Sequence, residues 1–175
     1  TALKLEKEEL EKLAKRDALT GLRNRVGLSK YLVEGEDKLQ EHNIPLSLIF
    51  LDIDFFKKIN DDYGHTTGDQ LLIKFGRIIN ENIRQQDKLA RWGGEEFLII
   101  LPESGLEGAK KVGEKIRASI ESSVFNFAGK ELKITMSLGV VCHSNKENNF
   151  EELIKIADEF LYKAKESGRN IVIDE

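Results

Sequence analysis

Asp52 and Asp54 close a nearly continuous apolar stretch that begins at Ser47. A carboxylate carried into a protein interior is costly unless a cation or hydrogen-bond donors meet it. Mg²⁺ is a natural partner, a hard cation that takes oxygen ligands and keeps phosphate oxygens in its shell. About 40 residues further on comes Arg91-Trp92-Gly93-Gly94-Glu95-Glu96-Phe97. The two glycines suit a hairpin turn with positive φ and close approach of a ligand. Glu95 and Glu96 beside that turn are placed to ligate a metal and take up a proton. The two segments together can set carboxylates from neighbouring strands around one ion. A third segment, Ala164-Lys165-Glu166-Ser167-Gly168-Arg169-Asn170, offers Lys165 and Arg169 to triphosphate oxygens.

Each segment alone has a plainer reading. The two aspartates can be solvated and cap the next helix. The Gly-Gly pair can be a bare hairpin tip, and basic residues near a helix end are favoured by its dipole. It is the combination that is specific.

The elements that must position these residues follow from hydrophobic period. Ser47 to Asp54 reads as a strand buried on both faces and therefore central. Lys88–Trp92 and Phe97–Leu101 read as a paired hairpin. Leu132–Ser137, continuing to Val141, reads as a further strand, and Ile171-Val172-Ile173 as a short closing one. Apolar stripes predict a helix from Asn24 to about Glu41 through Leu28, Tyr31, Leu32 and Leu39. They predict another opening at Asp69 through Leu71, Leu72, Phe75, Ile78, Ile79 and Ile83. Asp69 stands where an N-cap would stand. Ala109, Val112, Ile116 and Ile120 mark a third, and Phe150, Leu153, Ala157, Leu161 and Ala164 a last helix ending near Gly168. Mixed strands and helices with one hairpin predict an α+β fold, a mixed or antiparallel sheet of about five strands covered by helices.

Residues 1–16 are rich in Leu, Glu and Lys without Gly or Pro, and predict a helix. Leu3, Leu10 and Leu13 have coiled-coil spacing over two heptads. Such a helix is either an arm packed on its own domain or a connector from an upstream segment. The domain proper is then expected over residues 17–175.

With 175 residues, the chain fits one domain. The net charge of −4 and the lack of a basic stretch disfavour a nucleic-acid polymer as partner. A nucleotide stays open, since a metal can neutralise its phosphates. The longest apolar run, Phe97-Leu98-Ile99-Ile100-Leu101, is too short to cross a bilayer. No signal-peptide pattern follows Thr1, and a start without Met is what a piece of a longer protein would show. Cys142 is the single cysteine, so no internal disulfide is expected, in keeping with a reducing cytoplasm.

At this point the chain resembles the GGDEF diguanylate cyclases. The likeness runs from Asp17-Ala18-Leu19-Thr20-Gly21-Leu22-Arg23-Asn24-Arg25 through Asp52 to Asn60 and Gly64-His65-Thr66-Thr67-Gly68-Asp69. It includes Gly93–Phe97, in the variant with Glu at position 95, and ends with Ala157-Asp158, Leu161-Tyr162, Ala164-Lys165 and Gly168-Arg169-Asn170. The resemblance implies a palm-like, ferredoxin-like fold of the nucleotidyl cyclase type. It implies condensation of two GTP into cyclic di-GMP with Mg²⁺, or Mn²⁺ in its place, across a homodimer. By the same resemblance Asp52, the Ile53 carbonyl and Glu95 bind the metal. Glu95 is the candidate base, and Glu96 supports metal or phosphates. Asn60 and Asp69 read guanine, with His65 near the nucleotide. Phe55 and Phe56 offer backbone N–H groups to phosphates. Lys57, Lys165 and Arg169 supply cations, and Gly93 and Gly94 let the nucleotide lie over the hairpin. Arg84 and Asp87 match an Arg-x-x-Asp site where product inhibits. An upstream sensor in a parent protein, itself free to be membrane-anchored, is implied too. The runner-up is a GGDEF-like module that binds GTP or cyclic di-GMP without turnover. Another palm-type nucleotidyl transferase is a third reading, disfavoured by Asn60, Asp69 and the signature.

Overall fold

The structure, a computed structural model, describes residues 1–144, 146 and 148–174; the domain boundary expected at Glu175 lies outside them. Six helices form among these residues: α1 (Ala2–Ala14), α2 (Arg25–His42), α3 (Phe56–Tyr63), α4 (His65–Glu81), α5 (Leu106–Ser122) and α6 (Phe150–Glu166). The strands are β1 (Leu46–Ile53), β2 (Lys88–Arg91), β3 (Glu96–Pro102), β4 (Phe125–Phe127), β5 (Lys130–Leu132), β6 (Met136–His143) and β7 (Val172–Ile173).

Five strands make one mixed sheet in the order β2-β3-β1-β6-β7. All its pairs are antiparallel except β6 with β7. This is the α+β architecture expected. β1 is central and buried along its whole length, because helices cover both faces of the sheet. Ile49, Leu51 and Ile53 point into one core with α4 and α5 residues such as Leu71, Phe75 and Ile116. Leu48 and Phe50 point into the other with Leu28, Leu32, Leu153 and Leu161 of α2 and α6. Strand alternation then assigns Asp52 to the face under α6.

α6 lies hard on β6. A side chain on Gly139 would collide with the Ala157 carbonyl and meet the Leu161 nitrogen at 2.6 Å. The helix is fixed at its start by a capping box between Asn149 and Glu152.

Two expectations need correction. The strand foreseen from Leu132 to Val141 is broken: β4 and β5 form a separate small hairpin, and β6 starts only at Met136. Ala128 and Gly129 turn that hairpin with φ of 50° and 76°, the twist a two-residue hairpin favours. The helix expected to open at Asp69 begins at His65, so Asp69 is not its cap; Gly64 (φ 88°) is, without a side-chain cap bond. That glycine also ends α3, a helix of eight residues whose Phe56 and Ile59 are only half-buried against the core.

Among the described residues α1 buries none of its own, and Leu3, Leu10 and Leu13 stay exposed. In this single chain α1 therefore packs none of its leucines on the domain. α1 is tied on at its end, where Asn24 donates to the Ala14 carbonyl at 2.9 Å and Asp17 N–H to the Leu22 carbonyl at 2.8 Å. No helix among the described residues is long and apolar enough to cross a membrane.

Candidate active site

β1 delivers Asp52 to its C-terminal end, opposite Glu96 on β3 and Ser137 on β6. The Ile53 N–H reaches the Glu95 carbonyl at 3.4 Å, so both signature glutamates border the end of β1. Asp52 is only 3% exposed. Its Oδ2 pairs with the Lys165 ammonium from the last turn of α6, and its Oδ1 is buried without a hydrogen-bond partner. Burial pushes the Asp52 carboxyl up to about 7; Lys165 offsets part of this, and the charges of Glu95 and Glu96 add to it. Glu96 is raised as well, by burial first and then by Asp158 and Glu95. A buried carboxylate with an orphaned oxygen, in the field of two more acids, is under-compensated. That donor set fits a hard divalent cation. Among the described residues no three acidic, His or Cys side chains already converge as ligands. Lys165 holds the position beside Asp52 instead.

Asp54, whose role the sequence left open, is a structural residue. It accepts from the Ser137 and Thr135 hydroxyls, each at 2.6 Å, and from the Asn170 N–H at 3.1 Å. It thereby joins the end of β1 to β6 and to the turn after α6.

The signature turn is held from below. Arg91 donates through Nε and Nη2 to the Gly94 carbonyl at 3.0 and 2.8 Å, and through Nη1 to both oxygens of Asp17 at 3.2 Å. Arg25 donates to the Trp92 carbonyl at 2.8 Å and lies over the Trp92 ring at 4.6 Å. Gly93 and Gly94 do not use the positive φ expected of them. Gly93 lets the Glu96 carboxylate lie close, since a Cβ there would push it aside, whereas Gly94 opens onto free space.

Asn60 on α3 lies against Gly68 on α4, where any side chain would strike its amide oxygen. That oxygen is buried and unpartnered. Asp69 follows Gly68 and is exposed, as is His65 at the start of α4. Phe55 caps α3 with a left-handed φ of 56°, and the Arg169 guanidinium stacks on its ring at 4.3 Å. Phe56 and Lys57 open α3, and first-turn N–H groups of a helix have no carbonyl partner within it. Lys57 is exposed.

Arg84 and Asp87 lie away from this cluster. Arg84 donates to Ser104 Oγ at 3.2 Å, just beyond the end of β3 opposite Glu96. That separates them from Glu96 by about 20 Å of strand. They bond each other: Arg84 Nη2 donates to Asp87 Oδ1 at 3.0 Å, and the Arg84 N–H to Oδ2 at 2.8 Å. A cleft of about 480 Å³ runs between α3 and residues 132–135, bordered by Asp54, Phe55, Lys58 and Tyr63. Another of about 470 Å³ lies beside the signature turn against Asp17, Arg25 and Arg91. Neither includes Asn60 or Asp69. The sequence reading assigned no role to Arg91, Asp17 or Asp158; the first two carried a signal only in flanking the signature and opening the first motif.

A sequence model described as "Diguanylate cyclase, GGDEF domain" matches residues 14–171. The chain is 42% identical over 167 residues to the response regulator PleD of Caulobacter vibrioides, covering 92% of this chain and 36% of that one. It is 40% identical over 163 residues to diguanylate cyclase DgcP of Pseudomonas aeruginosa, covering 93% of this chain and 24% of that one. It thus spans well under half the length of either relative. Among solved structures, the coiled coil and GGDEF domain of DgcB from Caulobacter crescentus, in complex with c-di-GMP, superposes with a TM-score of 0.93 at 29% identity. That match covers 99% of this chain and 92% of the other.

Proposed function

The chain belongs to the GGDEF diguanylate cyclase family, and we propose that it condenses two molecules of GTP into cyclic di-GMP and pyrophosphate. The observation that carries this reading is Asp52, buried at the end of the central strand beside Glu95 and Glu96 with one oxygen unsatisfied. Asp52, the Ile53 carbonyl and Glu95 would hold Mg²⁺, or Mn²⁺, which neutralises phosphate charge and lowers the pKa of an attacking hydroxyl when bound.

The remaining work is positioning and charge compensation by the chain's own groups. Asn60 and Asp69 read the guanine edge, the amide oxygen of Asn60 being a buried acceptor in want of a donor. His65 borders the nucleotide. The first-turn N–H groups of α3, reached through Phe55 and Phe56, point toward phosphate as helix N-termini do. Lys57, Lys165 and Arg169 add positive charge, and the open side of Gly94 leaves room for the nucleotide over the turn. Glu95 takes the proton of a 3′-hydroxyl as its oxygen forms a bond to the α-phosphorus of a second GTP. The bond from that phosphorus to the bridging oxygen breaks, and pyrophosphate leaves. Glu96 keeps the acidic cluster in place. A mirrored second attack closes the ring.

One domain presents one GTP, so two copies must face each other. The exposed leucines of α1 suit pairing with a second α1. Burying each would contribute roughly 1.5–3 kcal/mol, which is marginal for two heptads and leaves room for control by an upstream sensor. Arg84 and Asp87 bind the product and restrain the pair of domains. A cytoplasmic setting supplies the GTP.

The test is chromatography of GTP incubated with Mg²⁺ and the protein at several concentrations. Cyclic di-GMP is expected, at a rate per protein that rises with concentration, and none from Glu95→Ala. Unreacted GTP at all concentrations, or another cyclic or polymeric product, overturns the reading.

A further inference from the structure

The Lys165 ammonium and a divalent cation both have a claim on Asp52. Lys165 reaches Oδ2 from the last turn of α6, across 113 residues of sequence. The carboxylate side chain is 4% exposed, whereas that of Lys165 is 33% exposed. The lysine therefore spans from a buried acid to open solvent, with its ammonium at the buried end. Around it, Asp52, Glu95 and Glu96 share one electrostatic field. Buried charge of this kind persists when paired. A dication entering on the orphaned Oδ1 would lie next to the ammonium on Oδ2, and the two positive charges repel.

From this arrangement we infer that Lys165 is a resident counter-ion: it holds the place of the divalent cation on Asp52 until a nucleoside triphosphate draws it away. The inference rests on the metal reading above. Before nucleotide binds, Lys165 neutralises Asp52 and disfavours bare metal. A triphosphate offers a denser negative charge, and a lysine side chain one-third exposed has a path to it. Lys165 moves to phosphate, and Asp52 becomes free to accept the cation that arrives with the nucleotide. Metal and nucleotide binding are thereby coupled through one side chain, and the acidic cluster is never left without a cation.

The experiment titrates the full chain with Mn²⁺ alone, without nucleotide, and follows free Mn²⁺ by electron paramagnetic resonance. Wild type, Lys165→Met, Lys165→Gln and Asp52→Asn are compared, each confirmed folded by circular dichroism. An opposite charge in contact shifts a carboxylate's proton affinity by about one to three powers of ten, and the same field acts on a metal. Both lysine variants are therefore expected to bind Mn²⁺ on the order of tenfold more tightly than wild type. Affinities equal to wild type in both lysine variants, but lost in Asp52→Asn, overturn the exchange while leaving the metal site standing. Affinities indifferent to Asp52→Asn overturn the metal reading itself.

Discussion

Arg91 Nη1 lies 3.2 Å from each carboxylate oxygen of Asp17, while the other side of the same guanidinium grips the carbonyl of Gly94. Asp17 belongs to the turn that receives the end of α1, and Gly94 precedes Glu95. One planar group thus joins the arm to the signature turn. Lysine cannot reproduce that fork. Arg91→Lys and Arg91→Ala should lower kcat by roughly 100-fold, the scale of a small misplacement of reacting groups, with the KM for GTP little changed. Steady-state kinetics measure this, and a KM effect without a kcat effect would place Arg91 in nucleotide binding instead.

Asp52 is kept in the interior at a cost to folding. Its carboxyl moves from 3.8 to about 7 on folding, burial being the main cause. The folded chain then binds that proton more tightly than the unfolded chain. The contribution to stability is best below the unfolded value and declines as pH rises through the interval up to about 7. In metal-free buffer, Asp52→Asn should be more stable than wild type at pH 8, by at most about 4 kcal/mol, the full shift with the Lys165 pair already counted in it. The gain should shrink by more than half at pH 5. Thermal melts in chelator at both pH values measure it. A lower melting temperature for the variant at pH 8 would mean that the ion pair outweighs burial.

Arg84 and Asp87 should part company on substitution. The Asp87 side chain is fully buried and accepts the Arg84 backbone N–H, so Asp87→Ala leaves a donor unmet and costs about 1–3 kcal/mol. Arg84 is partly exposed, and Arg84→Ala should leave the initial rate near wild type while relieving inhibition by added cyclic di-GMP; its melting temperature should fall, because the buried Asp87 carboxylate loses its cation. Unchanged inhibition in that variant would make the pair a turn-fixing device and nothing more.

The central strand was legible because burial on both faces leaves an unbroken apolar run, and counting alternately from Leu48 and Phe50 gives the face of Asp52. The stripes of α4, α5 and α6 were legible for the matching helical reason. The β4–β5 hairpin was not, since Ala128-Gly129 lacks the Asn or Asp that usually announces such a turn. The start of α4 was misread at Asp69 because Gly64 ends one helix and opens the next with no polar cap. Local pattern could not reveal that Lys165 faces Asp52, or Arg91 Asp17. Those pairs are 113 and 74 residues apart, and depend on how α6 and the first turn settle against the sheet.

Gly139 extends the functional address of this domain well beyond its motifs. It lets the backbone of α6 touch β6, and that contact sets how far the ammonium on the helix's last turn can reach. Alanine there would prop the helix off the sheet like a door wedged ajar, with the five-letter signature at the hairpin left intact. The middle of that strand thus bears on the position of Lys165 as much as the helix that carries it does.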